Sequence, residues 1–378
     1  VTTIAKSVFR GCFSLVEISL KDSHLQKFDR STFRGCAKLK ELTIPPTVTL
    51  IENNSCEKLS LIKEITIPPS VKEVKTLAFR GCRSLKEVTV DPYVTKIESD
   101  AFQECFELST LKILTSQSKI TPFDMNPFTN ITKIVIPENV TYIEPSSFSN
   151  FASITEISIP SSVTLIEEKT FDGFVSLNQI TIDPYRTQIE KDAFQSCKNL
   201  QSLIISTSET KIRPFETNLF PYVTKVSIPE NVSVIEGSVF EDWERLKYIT
   251  IPSSLSLIGE SCFKGCSSLR DITIPPTVSE IQSKAFKGCT SLTRVTYDPY
   301  KTKVDEDSFD GCTNIQILNI TTTERSIRPF NLKPFASIKT VIIPLNIARI
   351  EANVFENLVS LQGLIIPSSV AEIQSEAF

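Results

Sequence analysis

Histidine, methionine and tryptophan each occur once in 378 residues, and glycine occurs only ten times. With His24 as the single imidazole, the chain lacks the residues for histidine-ligated metals and for His-based acid–base chemistry. No run of about eighteen apolar residues exists, and no leader-like segment opens the sequence, so no stretch reads as a membrane span. An excess of one charge is missing too: 40 Lys and Arg face 44 Asp and Glu, a net of −4. That balance offers no whole-chain footprint for nucleic acid or an anionic membrane. No grouping of acid, base and nucleophile stands out, so the expectation is a non-enzyme without cofactor or metal.

What the sequence has in abundance is itself. Leu39-Lys-Glu-Leu-Thr-Ile44, Leu85-Lys-Glu-Val-Thr-Val90 and Leu269-Arg-Asp-Ile-Thr-Ile274 share apolar residues at positions 0, 3 and 5. The first residue of this phrase falls at sixteen places from Leu15 to Leu361, the first step being 24 residues and every later one 23. A fixed period of this length means a stacked-repeat architecture, in which each unit covers the apolar side of its neighbour. The phrase reads as a short strand, often closed by Ile-Pro as at Ile44-Pro45 and Ile67-Pro68, because proline cannot donate to a ladder. Positions 0, 3 and 5 are expected to point inward, and 2 and 4 outward.

The return path carries a second extended piece (Ser70-Val71, Val74) and then a phrase such as Ala78-Phe79-Arg80-Gly81-Cys82. Here Ser99 or Ser283 is suited to capping one helical turn, and seven of the ten glycines end it. Thirteen of the 24 phenylalanines, among them Phe79, Phe171 and Phe263, share one slot and are expected to form an inner column. A longer period is superimposed: Asp91-Pro-Tyr93, Asp183-Pro-Tyr185 and Asp298-Pro-Tyr300 lie 92 and 115 residues apart, each followed by a variant coil with a Pro-Phe pair. Duplication of blocks of coils explains that spacing.

The unit I-P-x-S-V-x-x-I-x-x-x-A-F-x-G-C-x-S-L-x-x-I-x resembles the BspA-like leucine-rich repeat along essentially the whole chain. The resemblance implies an α/β leucine-rich-repeat solenoid, rich in β structure, of about sixteen 23-residue coils. It would have a continuous parallel sheet and short helical or 3-10 turns on the return path. The expected organisation is a single solenoid over residues 1–378, cut from a longer chain because both ends fall inside a repeat. The family implies a cell-surface or secreted protein of bacteria or parasitic protists and a non-enzymatic adhesion scaffold with a protein ligand from host, matrix or a neighbouring cell. The alternatives are a self-associating coat or filament subunit, or an intracellular interaction scaffold. No nucleic-acid partner and no membrane insertion of this segment are expected, and the family transfers no catalytic residue.

Candidate binding residues come from the outward positions. Glu17, Glu41, Glu64 and Glu87 form a column of like charge on the first four strands, which needs compensation, with Lys40, Lys63 and Lys86 adjacent. A solvated face is the plain reading; a basic partner or a weak Ca²⁺ contact is the alternative. Position 4 is mostly Ser or Thr, as at Thr66, Thr273 and Thr296. Ile317, Ile342 and Ile365 put apolar groups outward on three consecutive strands, a contact-patch signal. Tyr93, Tyr185 and Tyr300 sit at turns, where they serve the turn or anchor a partner. Five Asn-x-Ser/Thr motifs occur, of which Asn139 and Asn231 are the preferred glycan carriers because they share one turn. Eight of the ten cysteines occupy a slot that elsewhere holds Leu, Phe or Trp, the mark of a buried thiol acting as a small hydrophobe. Disulfides between adjacent coils and a thiolate site are the alternatives.

Overall fold

Most of the apolar phrases bury positions 3 and 5 and turn positions 2 and 4 outward, so a short parallel strand is the natural local structure. In Glu87–Val90 the side chains alternate, with Val88 and Val90 fully buried. The structure, a computed structural model, describes residues 1–378 apart from 125, 129, 149, 150, 216–218, 336 and 357. It is a parallel-sheet β-solenoid of about fifteen turns, divided into two compact units, Val1–Leu200 and Gln201–Phe378.

In the first unit the main sheet runs through Glu64–Thr66, Glu87–Val90, Thr110–Ile113, Lys133–Val135, Glu156–Ser158 and Gln179–Ile182. Neighbours pair in parallel with an offset of 23 residues, as in Ile65↔Val88↔Leu111. A second row of two-residue strands forms two four-stranded sheets, one ending at Lys96–Ile97 and the next beginning at Lys119–Ile120. The phrases at Leu15 and Leu39 form no strand. Leu39, Leu42 and Ile44 are buried there, but one bond, from the Lys40 N–H to the Val16 carbonyl at 3.2 Å, joins the two phrases. Burial alone does not make a ladder.

In the second unit, Ser202–Ile205, Lys225–Ser227 and Tyr248–Thr250 pair in order, as do Asp271–Thr273, Arg294–Tyr297, Ile317–Ile320, Thr340–Ile342 and Gly363–Ile365. Its second row breaks between Lys303–Val304 and Ser326–Ile327.

No α-helix occurs among the described residues, and short 3-10 turns lie at Asn126–Phe128 and Lys333–Phe335. Ser283 does not cap a helical turn: its hydroxyl donates to Asp307 in the next coil, at 2.9 Å. The return path is instead a chain of turns whose N–H groups bond the following coil, as Phe79 N–H does to the Ala101 carbonyl at 2.9 Å. The glycine slot is left-handed, with φ +71° at Gly81, which is where a residue without Cβ costs least.

The phenylalanine slot forms columns of parallel rings. Phe240, Phe263, Phe286 and Phe309 stack at 5.3, 5.1 and 5.0 Å between centroids, and Phe171 and Phe194 at 4.7 Å. Since a ring is covered mainly by the coils on either side, the core is a sum of neighbour contacts.

Candidate binding surface

On the first unit's sheet face the strand register sets Glu64 directly against Glu87. Two carboxylates in adjacent coils repel, and the relief comes from Lys112, whose Nζ lies 2.6 Å from Glu87 Oε1. Lys40, Lys63 and Lys86, expected to neutralise this column, make no ion pair among the described residues; their side chains leave the chain one position before the Glu and do not reach it. Glu17, Glu41 and Glu64 remain exposed. Between the second and third phrases lies a groove of about 840 Å³, lined by Lys40, Glu41, Thr43, Leu61, Lys63 and Glu64 among others. Leu61 is 45% exposed there, an apolar contact that the repeat pattern did not flag.

In the second unit the register places Asn319, Ile342 and Ile365 in one row and Ile317, Thr340 and Gly363 in the neighbouring one. Ile342 and Ile365 are therefore direct neighbours, whereas Ile317 sits diagonally to them. Ile365 is exposed, and Ile317 and Ile342 are half-buried. The hydroxyl row is interrupted, since Thr296 is buried beneath Asn319, whose amide donates to it at 3.4 Å.

The three tyrosines have a structural employer. Each preceding aspartate is buried and accepts the tyrosine N–H at 3.0 Å, for Asp91, Asp183 and Asp298 alike. Proline between them pre-sets the turn. Tyr93 OH then donates to the Thr121 carbonyl and accepts the Thr121 N–H, both at 3.0 Å, just where the second row of strands breaks. Tyr300 OH does the same to Arg328, donating at 2.9 Å and accepting at 2.6 Å. Burial raises both phenols, Tyr300 to about 12. These two are half-buried braces spoken for by the backbone, which leaves their ring edges alone for a partner.

Asn139 and Asn231 are likewise occupied. The Asn139 amide donates to the carbonyls of Thr115 and Gln117, both at 2.9 Å, and the Asn231 amide to those of Thr207 and Glu209, at 3.0 and 2.9 Å. Asn346, outside any glycosylation motif, makes the same pair of bonds to Thr322 and Glu324. Each clamped loop also closes on its own threonine, as Gln117 N–H does on Thr115 Oγ1 at 3.1 Å. A glycan on Asn139 or Asn231 would displace one of the two clamp bonds, so the motif has a cause in folding that the third copy shares.

All ten cysteines are free and only Cys12 is exposed. Seven thiols donate to a carbonyl of the preceding coil, as Cys105 does to Phe79 at 3.2 Å and Cys289 to Phe263 at 3.2 Å. Burial pushes Cys56, Cys197 and Cys266 up to about 12, so they are thiols at neutral pH, not nucleophiles. His24 is exposed. Among the described residues no group of His, Cys, Asp and Glu is placed to hold a metal, and no helix is long and apolar enough to cross a membrane.

Comparison with known proteins then decides the family. A family model described as the BspA type leucine rich repeat region, in 6 copies, matches overlapping stretches from residue 2 to residue 378. The chain belongs to the BspA-type leucine-rich repeat family. Several solved structures align with most of its length. A leucine-rich cell surface protein from Faecalibacterium prausnitzii is 24% identical, over 70% of this chain and 80% of that one, with a TM-score of 0.32. A leucine-rich repeat protein from Bacteroides ovatus is 22% identical, over 84% and 82%, with a TM-score of 0.28. The pneumococcal vaccine antigen PcpA is 18% identical, over 86% and 85%, with a TM-score of 0.31. No curated protein matches the chain in sequence.

Proposed function

We propose that this BspA-type protein is a non-enzymatic scaffold, displayed at a cell surface or secreted, whose sheet face holds a protein ligand. Support for a surface setting comes from the family and from the cell-surface description of the Faecalibacterium protein. The single observation that carries the reading is the groove between Lys40 and Pro68. It sets both signs of charge, two threonines and the exposed Leu61 between the Leu39 phrase, which forms no strand, and the strand Glu64–Thr66, which pairs with the next coil. Polar groups of both signs around an apolar contact suit a protein surface, whose interfaces combine an apolar contact with a polar rim. The Ile342–Ile365 pair gives the second unit a contact of its own.

The test is saturable binding of the purified chain to immobilised extracellular-matrix proteins and to cultured epithelial cells. Glu41→Lys with Glu64→Lys, and separately Ile342→Asp with Ile365→Asp, should each leave the melting temperature in place. At least one pair should weaken binding tenfold or more. Binding that survives both pairs removes the sheet face as the ligand site.

A further inference from the structure

The near-neutral total charge conceals a local asymmetry. The five residues before each strand phrase in the first four coils are Arg10–Ser14, Arg34–Lys38, Glu57–Leu61 and Arg80–Ser84. They carry six cations, Arg10, Arg34, Lys38, Lys58, Arg80 and Arg83, and one carboxylate, Glu57. The backbone stacks them in register: Gly11 N–H bonds the Arg34 carbonyl at 2.9 Å, Gly35 N–H the Glu57 carbonyl at 2.8 Å, and Lys58 N–H the Arg80 carbonyl at 2.8 Å. The cations therefore recur along one flank at the spacing of the coils, roughly 4.8 Å.

Most of that charge is unspent. Arg34 is held by buried Glu57 at 2.9 Å, and Arg80 by Glu104 of the fifth coil at 2.5 Å. Arg10, Lys38, Lys58 and Arg83 are exposed and make no ion pair among the described residues. The Lys58 stem packs over the turn at Gly81, where a Cβ would meet Lys58 Cγ at 3.5 Å, an ordinary contact distance. The repeat does not require this. In the second unit the equivalent residues of four successive coils carry Arg245, Lys264 and Lys287 against Glu241, Asp242, Glu244 and Asp310. There Lys264 is paired with Glu241 at 2.7 Å and Lys287 with Asp310 at 3.6 Å. One flank of one unit has been made basic on a scaffold that elsewhere balances itself.

We propose that this flank of the first four coils docks a sulfated polysaccharide, a linear polyanion laid along the coil axis. A narrow row of guanidinium and ammonium groups matches anionic oxygens spaced along a chain, and Arg10 and Arg83 offer the planar fork that grips two of them at once. Ser14, Ser60 and Ser84 stand beside the cations as hydroxyl partners. A single-stranded nucleic acid fits less well, because it calls for successive aromatic platforms. Among these residues one ring, Phe13, is exposed, at 68%. The flank adjoins the sheet-face groove at Leu61, but Arg10, Lys38, Lys58 and Arg83 do not line that groove, so their substitution tests the flank apart from the protein-ligand reading.

The test measures binding of a labelled heparin oligosaccharide to the full chain across a salt series. Tight, salt-sensitive binding is expected, with little binding of desulfated heparin. The variant carrying Arg10→Gln, Lys38→Gln, Lys58→Gln and Arg83→Gln should lose tenfold or more in affinity and flatten the salt slope. Its melting temperature should hold, because the four side chains make no ion pair. Lys225→Gln with Lys247→Gln, exposed lysines of the second unit, should change nothing. The proposal is overturned if the four-residue variant binds as the parent does. It is equally overturned if desulfated heparin, a single-stranded oligonucleotide or phosphatidylserine vesicles bind as tightly as heparin.

Discussion

The hydroxyl of Tyr93 and the backbone of Thr121 form a closed pair of hydrogen bonds, each 3.0 Å, across the break in the second row of strands. A side chain has taken the place of the ladder partner that the variant coil withdrew. Tyr93→Phe keeps the ring against Phe123, 5.8 Å away, but strands the Thr121 N–H and carbonyl. The expected loss is about 1–3 kcal/mol for partly buried groups left unsatisfied. Denaturant unfolding reads the total, and amide exchange at Thr121 localises it.

The same phenols set a limit at high pH. Burial raises Tyr300 from 10.0 to about 12 and raises Tyr93 in the same direction. The folded state therefore keeps these protons longer than the unfolded state, so the contribution is complete below about pH 10 and drains away as pH climbs towards 12. Stability should fall across that window, and Tyr300→Phe should shrink the fall. Phenolate absorbance of the folded protein should show late titration of Tyr300.

Thiol accessibility should be all but absent. In the native protein at neutral pH one cysteine, Cys12, is expected to react with a maleimide, and the other nine only after denaturation. Mass spectrometry of the labelled protein checks this. Rapid native labelling of Cys82 or Cys289 would contradict the burial found here.

The clamp loops give a paired comparison. Asn139→Asp keeps the shape but removes both donors, so the Thr115 and Gln117 carbonyls lose their partner and a negative charge faces them. A loss of about 1–3 kcal/mol is expected, with faster proteolysis within residues 115–118. Asn346→Asp should act alike on its own loop, although it lies in no glycosylation motif.

Phe263 lies between Phe240 and Phe286 with rings 5.3 and 5.1 Å away. Phe263→Ala should cost about 3–5 kcal/mol, the usual range for a buried ring. Hydrogen exchange should quicken first in the coils of Phe240 and Phe286, because the core is shared between neighbours.

Periodicity made the strand register, the in-and-out alternation and the phenylalanine column legible, because each depends on position within the coil and on nothing else. The assignments that needed correction depend on what a side chain meets in another coil. Glu87 is met by Lys112, 25 residues on, and not by Lys86 beside it. Tyr93 reaches 28 residues forward and Asn139 reaches 22 and 24 residues back. The recurrence of Asp-Pro-Tyr offers the tyrosines a turn role beside a partner-binding one, and the turn shared by Asn139 and Asn231 points to glycans; the reach of each side chain follows only from the stacked backbone. The basic flank escaped notice because whole-chain charge averages over it.

The backbone bonds that link Gly11 to Arg34, Gly35 to Glu57 and Lys58 to Arg80 hand each turn's donor to its successor. A whole coil can thus be added or removed without orphaning a donor, whereas a one-residue change would misalign every rung beyond it. Length in this protein is quantised: natural variation should come in steps of 23, with odd insertions confined to places such as the loop near His24.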